Sequence, residues 1–147
     1  MGASIGYFSV EPVAEQKHRE LLSLASKANE AYHWWCESIC ISETPDETGS
    51  VFGFTKLFCL IGDEVTDTYM AFLDICEIVR FLTTASERLG VEWRLEIAGS
   101  HFGKITRSGP DDELQAKLAS FLEEFPGDFE SLRSRPRAEI LAEWPDR

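Results

Sequence analysis

Carboxylates at Asp67, Asp74 and Glu77 recur at spacings of seven and three, which brings them back to one face of a helix. Asp63 and Glu64 stand just before them. Oxygen ligands gathered in this way suit a hard cation such as Mg²⁺, so a small metal-dependent hydrolase using Asp63, Asp67, Asp74 and Glu77 is one reading. No basic residue that would hold a phosphate substrate lies close by in sequence, which leaves the plainer reading of a solvated helix face.

The same line carries a second chemistry. Met70 and Phe81 fall among these acids on the helical wheel. Large apolar side chains inside an acidic strip give a partner an anchor to bury and a charged rim to steer by. Asp63, Glu64, Asp67, Met70, Asp74, Glu77 and Phe81 are therefore the expected partner-binding residues. The competing explanation is intramolecular: the C-terminal tail covers the strip, and its cluster Arg133, Arg135 and Arg137 pairs with the acids.

Other constellations fail on spacing. His33, Cys36 and Cys40 are metal-ligand types at permitted intervals, yet a structural zinc site needs four converging ligands and no second tight pair follows. Around Gly99, Gly103 and Lys104, three residues separate the glycines and Ile105 follows the lysine. A phosphate loop needs four, and a hydroxyl directly after the lysine. No Gly-x-Ser-x-Gly elbow occurs, and nothing local supports a cysteine meeting His101. No cofactor, metal or catalytic residue is expected.

The elements that must position these residues are legible from periodicity. Residues 4–10 read as a first strand. Residues 12–35 read as an amphipathic helix with Leu21, Ala25, Ala28 and Tyr32 on its apolar arc and His18 and His33 on its polar side. Residues 38–42 and 51–61 read as a strand hairpin around the loop 44–50, the second strand covered on both faces. The expected central helix runs over 66–89 and stops at Gly90. Strict alternation over 91–97, then Gly99-Ser100 and a return strand over 102–107, gives a second hairpin. Ser108-Gly109-Pro110 reads as a break, after which Asp111, Asp112 and Glu113 open a helix whose stripe is Leu114, Leu118, Phe121, Leu122 and Phe125. Residues 127–147 read as a helical tail packed on the body. Gly49-Ser50-Val51-Phe52-Gly53 and Gly99-Ser100-His101-Phe102-Gly103 share a pattern, which either a duplicated unit or coincidence explains.

The fold expected is α+β over a single domain, 1–147: a mainly antiparallel sheet of four to five strands with flanking helices, in the order β-α-β-β-α-β-β-α plus the tail. A chain of 147 residues buries enough surface to fold without disulfide or metal. Its four cysteines have apolar neighbours and read as buried free thiols of a reducing, cytoplasmic compartment. The formal net charge of −12 repels nucleic acid and anionic membrane surfaces and favours a basic protein partner. No apolar run is long enough to span a membrane, and the N-terminus has no secretory signal. Small size, negative field and lack of a catalytic motif make the expected function non-catalytic binding: an inhibitor or immunity-type protein that neutralises a basic toxin or enzyme domain. The alternatives are the hydrolase above and an adaptor or chaperone that binds along a sheet edge.

Overall fold

The structure, a computed structural model, describes residues 3–57, 64–124 and 129–144. Its centre is a five-stranded antiparallel sheet in the order β2-β1-β3-β4-β5. The strands are β1 (Ala3–Ser9), β2 (Phe52–Leu57), β3 (Trp93–Ile97), β4 (Ser100–Thr106) and β5 (Gly109–Pro110). The helices are α1 (Glu15–Ala31), α2 (Glu64–Leu89), α3 (Asp112–Glu124), α4 (Phe129–Arg133) and α5 (Arg137–Ala142). This is the α+β architecture that the alternation and helical periods predict.

Side-chain alternation gives the sheet one dry face. Ile5 and Tyr7 of β1, Thr55 of β2, Trp93 and Leu95 of β3 and Ile105 of β4 are all fully buried. They pack against Leu21 and Ala25 of α1, Ile78 and Leu82 of α2 and Leu114 of α3, which form one contiguous core. Burying apolar area of this kind is worth about 25 cal/mol per Å² and is what holds the helices on the sheet. Phe72 of α2 stacks on Phe121 of α3 at 5.0 Å between centroids, extending the core sideways.

Local chemistry sets the boundaries. α2 carries Glu64 and Asp67 in its first turn and Arg88 in its last, each on the side that the helix dipole favours. Gly90 ends it with φ of 71°. β3 and β4 join through Ala98 and Gly99, both at positive φ, the geometry of a two-residue hairpin that matches strand twist. Asp111 caps α3 by accepting the Leu114 N–H at 2.9 Å.

Four expectations are corrected. The first helix ends at Ala31 rather than near residue 35, because Asn29 turns the chain back by bonding both the N–H and the C=O of Ile39. Residues 38–42 are not a strand. They form one β-bridge with β2, Ile41 with Gly53, and β2 pairs with β1 over six residue pairs instead. The two-residue strand β5 was read as a break. His18, placed on the polar side of α1, is buried with Nε2 2.7 Å from the Ser42 carbonyl. The part of the expected second strand beyond Leu57, and Cys59 within it, lies outside the described residues.

Below β2 the chain is stitched by a line of polar groups. The Cys40 N–H donates to the Tyr7 hydroxyl at 3.0 Å, which lies 2.9 Å from the Thr55 hydroxyl, which donates to the Ser38 carbonyl at 3.3 Å. Burial pushes the Tyr7 phenol up to about 12, and burial raises Tyr32 and Tyr69 as well. A phenol raised in the folded state stabilises the fold below its unfolded value of about 10, and that contribution is lost as pH rises through the native value. All three tyrosines of the chain are affected. Ultraviolet titration is therefore expected to show phenolate forming above the usual tyrosine midpoint near pH 10, with a steep rise as the chain unfolds. One tyrosine ionising normally at pH 10 with native circular dichroism would contradict this.

Candidate functional site

Two acids of the α2 line, Asp67 and Asp74, form an internal anchor. Asp74 is fully buried. Its Oδ2 accepts the N–H groups of Trp35 at 3.0 Å and Cys36 at 2.7 Å, and its Oδ1 accepts the Tyr32 hydroxyl at 3.3 Å. Asp67, two turns earlier and also buried, accepts the indole N–H of Trp35 at 3.2 Å. One aspartate thus holds the backbone of Trp35 and the other its ring. From the C-terminal arm, Arg137 lies 3.5 Å from Asp74 Oδ1, stacks 4.1 Å over the Tyr32 ring and donates to the His33 carbonyl. Burial pushes the Asp74 carboxyl above the usual range. The Cys36 and Trp35 amides and Arg137 pull against this without cancelling it.

Around this anchor Trp35, Tyr69, Met70, Leu132 and Ile140 form a second, smaller core, with Trp144 edge-on to Trp35 at 6.3 Å. The arm therefore covers Met70, as the intramolecular alternative requires. Phe81 is buried as well, but in the main core, beside Leu24 and Ala28 of α1. Glu77 is partly exposed and pairs with Arg80, and Glu64 is exposed at the start of α2. Asp63 lies outside the described residues. Of the seven expected partner-binding residues, Asp67, Met70, Asp74 and Phe81 are thus corrected to interior positions. The reason is that Trp35 and Arg137, distant in sequence, supply the donors that these acids need.

For metal chemistry, the carboxylates of Asp67, Asp74 and Glu77 are engaged by protein donors, and among the described residues no three His, Cys, Asp or Glu side chains converge on one point. The expectation of buried thiols fails at Cys40, which is exposed, while Cys36 and Cys76 are half-buried. Burial pushes the Cys76 thiol up to about 11, away from reactivity at neutral pH.

Both sheet edges are partly occupied among the described residues. Along β2, the Ser42 N–H donates to the Phe52 carbonyl at 2.8 Å and Glu37 accepts the Lys56 N–H at 3.3 Å. At the other edge, β5 is only two residues long and contains Pro110.

The surface that stands out is the second face of the sheet. Phe8, Phe52, Phe54, Lys56, Arg94 and Lys104 alternate with the buried set and point away from the core. Phe54 packs edge-to-face on Phe8 at 5.4 Å and against Phe52 at 6.3 Å, and it is 51% exposed. Val10, just past β1, is 48% exposed. A side chain at Gly6 would come within 2.9 Å of the Phe54 ring and 3.0 Å of the Phe8 ring, so the two rings rest over this glycine. Arg94 lies 4.9 Å over Phe8 and pairs with Glu96 at 2.6 Å. Beside these residues a hollow of about 260 Å³ opens against the turn at Asp46, Thr48 and Ser50. None of the helices described packs on this face.

The sequence reading missed this face by treating the run after Val51 as covered on both sides. The signal was present. Phe52, Phe54 and Lys56 share one parity, and Arg94, Glu96 and Lys104 stand on the matching parity of the strands beyond.

The fold and its two faces define an α+β protein whose antiparallel sheet is covered by helices on one side. Comparison of the chain with family models, with curated proteins and with solved structures finds no match. No helix among the described residues is long and apolar enough to cross a membrane.

Proposed function

We propose that this chain is a non-catalytic protein-binding protein that meets its partner with the open face of its sheet, and that it acts as an inhibitor or immunity-type protein toward an enzyme or toxin domain. The observation that carries the reading is the cluster of Phe8, Phe52 and Phe54, left without a helix over it among the described residues. Large aromatics cost free energy in water, and a contiguous set rimmed by charge is what a contact surface requires. The charge of −12 supports a partner that is basic overall, drawn in by the long-range field.

Phe54 is the expected anchor, since it is the most exposed of the three rings and touches both others. Truncating a central aromatic anchor typically costs about 2 kcal/mol or more, roughly thirtyfold in affinity. Phe54→Asp is expected to weaken binding of the chain's stoichiometric partner at least that far, with an unchanged melting temperature because the ring adds little to the core. Binding that survives Phe54→Asp but is lost with Glu64→Lys would place the contact at the start of α2 instead.

A further inference from the structure

The groove under the C-terminal arm is fastened by the body of the protein and not by the arm. Trp35, Tyr69 and Met70 form its apolar wall, with Val65 and Leu73 packed beside them. Asp67 accepts the indole N–H of Trp35 and Asp74 its backbone N–H, so α2 holds this side chain whether or not the arm is present. The arm, by contrast, is a weakly attached occupant. α4 and α5 have five and six residues, well short of the ~12–15 that an isolated helix needs in water. α5 starts at Pro136 with no side-chain cap. Ser134, Ala138, Glu139, Ala142 and Glu143 are exposed, so contact runs along one side through Leu132, Ile140, Leu141 and Trp144. Two buried donors on that side, Arg137 Nε and Trp144 Nε1, find no acceptor among the described residues, and each such loss weakens the seat.

We infer that this groove is a second docking site, which takes a short helix of a partner protein carrying an arginine three residues ahead of a branched apolar side chain, and that the arm fills it at rest as a displaceable stand-in. The seated arm shows the chemistry that is recognised. Arg137 lies 3.5 Å from Asp74 Oδ1, stacks over the Tyr32 ring at 4.1 Å and donates to the His33 carbonyl. A lysine would reach the carboxylate but give up the planar stack, so the site selects arginine. Ile140, about one helical turn further on, is fully buried among Trp35, Tyr69 and Met70. Anchors at this spacing on one helix face are the usual terms of helix-in-groove recognition. Arg135 pairs with Glu139 and Glu143, which ties the arm to itself and leaves it intact when it lifts. None of this depends on the open sheet face, and either site can fail without the other.

Two measurements on the full chain test this. In native hydrogen exchange, the bonded arm amides Arg135, Glu143 and Trp144 are expected to exchange roughly a hundredfold faster or more than those of β1 and β3, through openings that leave the sheet closed. Equal protection of arm and sheet would overturn the inference, and this result decides alone if the variant below does not fold. In fluorescence anisotropy, the probe is a labelled peptide with the sequence of residues 129–144. It is expected to bind the full-chain variant Ile140→Asp, whose own arm is loosened, at least about tenfold more tightly than the unaltered chain, because an occupied groove taxes every competitor. Arg137→Lys in the peptide is expected to weaken that binding about tenfold. A peptide that fails to bind a folded Ile140→Asp chain, or that binds equally well with Arg137→Lys, would overturn the inference. A dimer of the unaltered chain in sedimentation that Ile140→Asp splits would show that a second copy's arm is the occupant, and would overturn it as well.

Discussion

Asp74→Ala is expected to lower the unfolding free energy by about 3–5 kcal/mol, since each of two N–H groups left without an acceptor costs about 1–3 kcal/mol. Three losses combine. Arg137 is left without its carboxylate, the Trp35 and Cys36 N–H groups lose their acceptor, and the second core loses the post that holds the arm. Because burial raises the native pKa of Asp74, its contribution is fully present below the ordinary aspartate value of about 3.9 and declines as pH rises through the native value. The loss on mutation should therefore be greater at pH 4 than at pH 8. Urea unfolding of both proteins at the two pH values reads this directly. A loss that grows with pH would mean that the donors, not desolvation, govern the carboxylate. Arg137→Met should cost less at pH 4 than at pH 8, since the raised Asp74 carboxyl loses charge toward acid pH and with it the need for a counter-charge.

Gly53→Ala has the next largest expected effect. A methyl group there would lie 2.0 Å from the Cys40 carbonyl oxygen and 2.3 Å from the Tyr7 ring. The first obstacle is backbone and cannot rotate away. Overpacking of a tight site costs about 1–3 kcal/mol, and the immovable carbonyl puts this case at or above the upper end. Shifting residues 38–42 to make room would break the line from Cys40 through Tyr7 and Thr55 to Ser38. The variant is therefore expected both to unfold at lower urea and to let one tyrosine ionise closer to pH 10. A protein of native stability with native tyrosine titration would show that the strip under β2 is free to move.

What sequence reading recovers follows the range of the forces involved. The helix over 66–89 and the alternation over 91–97 are local patterns, and both elements exist with ends within two residues of those expected. The order of the strands is not local. β1 lies inside the sheet, between β2 and β3, because Ile5 and Tyr7 pair with strands on both sides, which no window around residue 5 can reveal. Asp67 and Asp74 of α2 both turn inward, and that direction depended on Trp35 and Arg137. The arginines of the tail were the one legible hint, and of them Arg137 reaches Asp74, while Arg135 pairs with Glu139 and Glu143 inside the arm. The repeated Gly-Ser-x-Phe-Gly pattern has a local cause at each copy. Gly49 and Gly99 adopt positive φ before a strand, and Gly53 and Gly103 leave room for a close neighbour, the Cys40 carbonyl in one case and Leu114 in the other.

The clamp between Asp74 and Arg137 also orders events in time. A ribosome makes the acid long before its base, so the sheet and the long helix can assemble while the groove around Trp35, Tyr69 and Met70 still gapes. Only when the arm clears the exit tunnel does its arginine arrive to shut that groove. A nascent chain halted earlier would display an oily, negatively charged cleft, the kind of flaw that chaperones and proteases inspect.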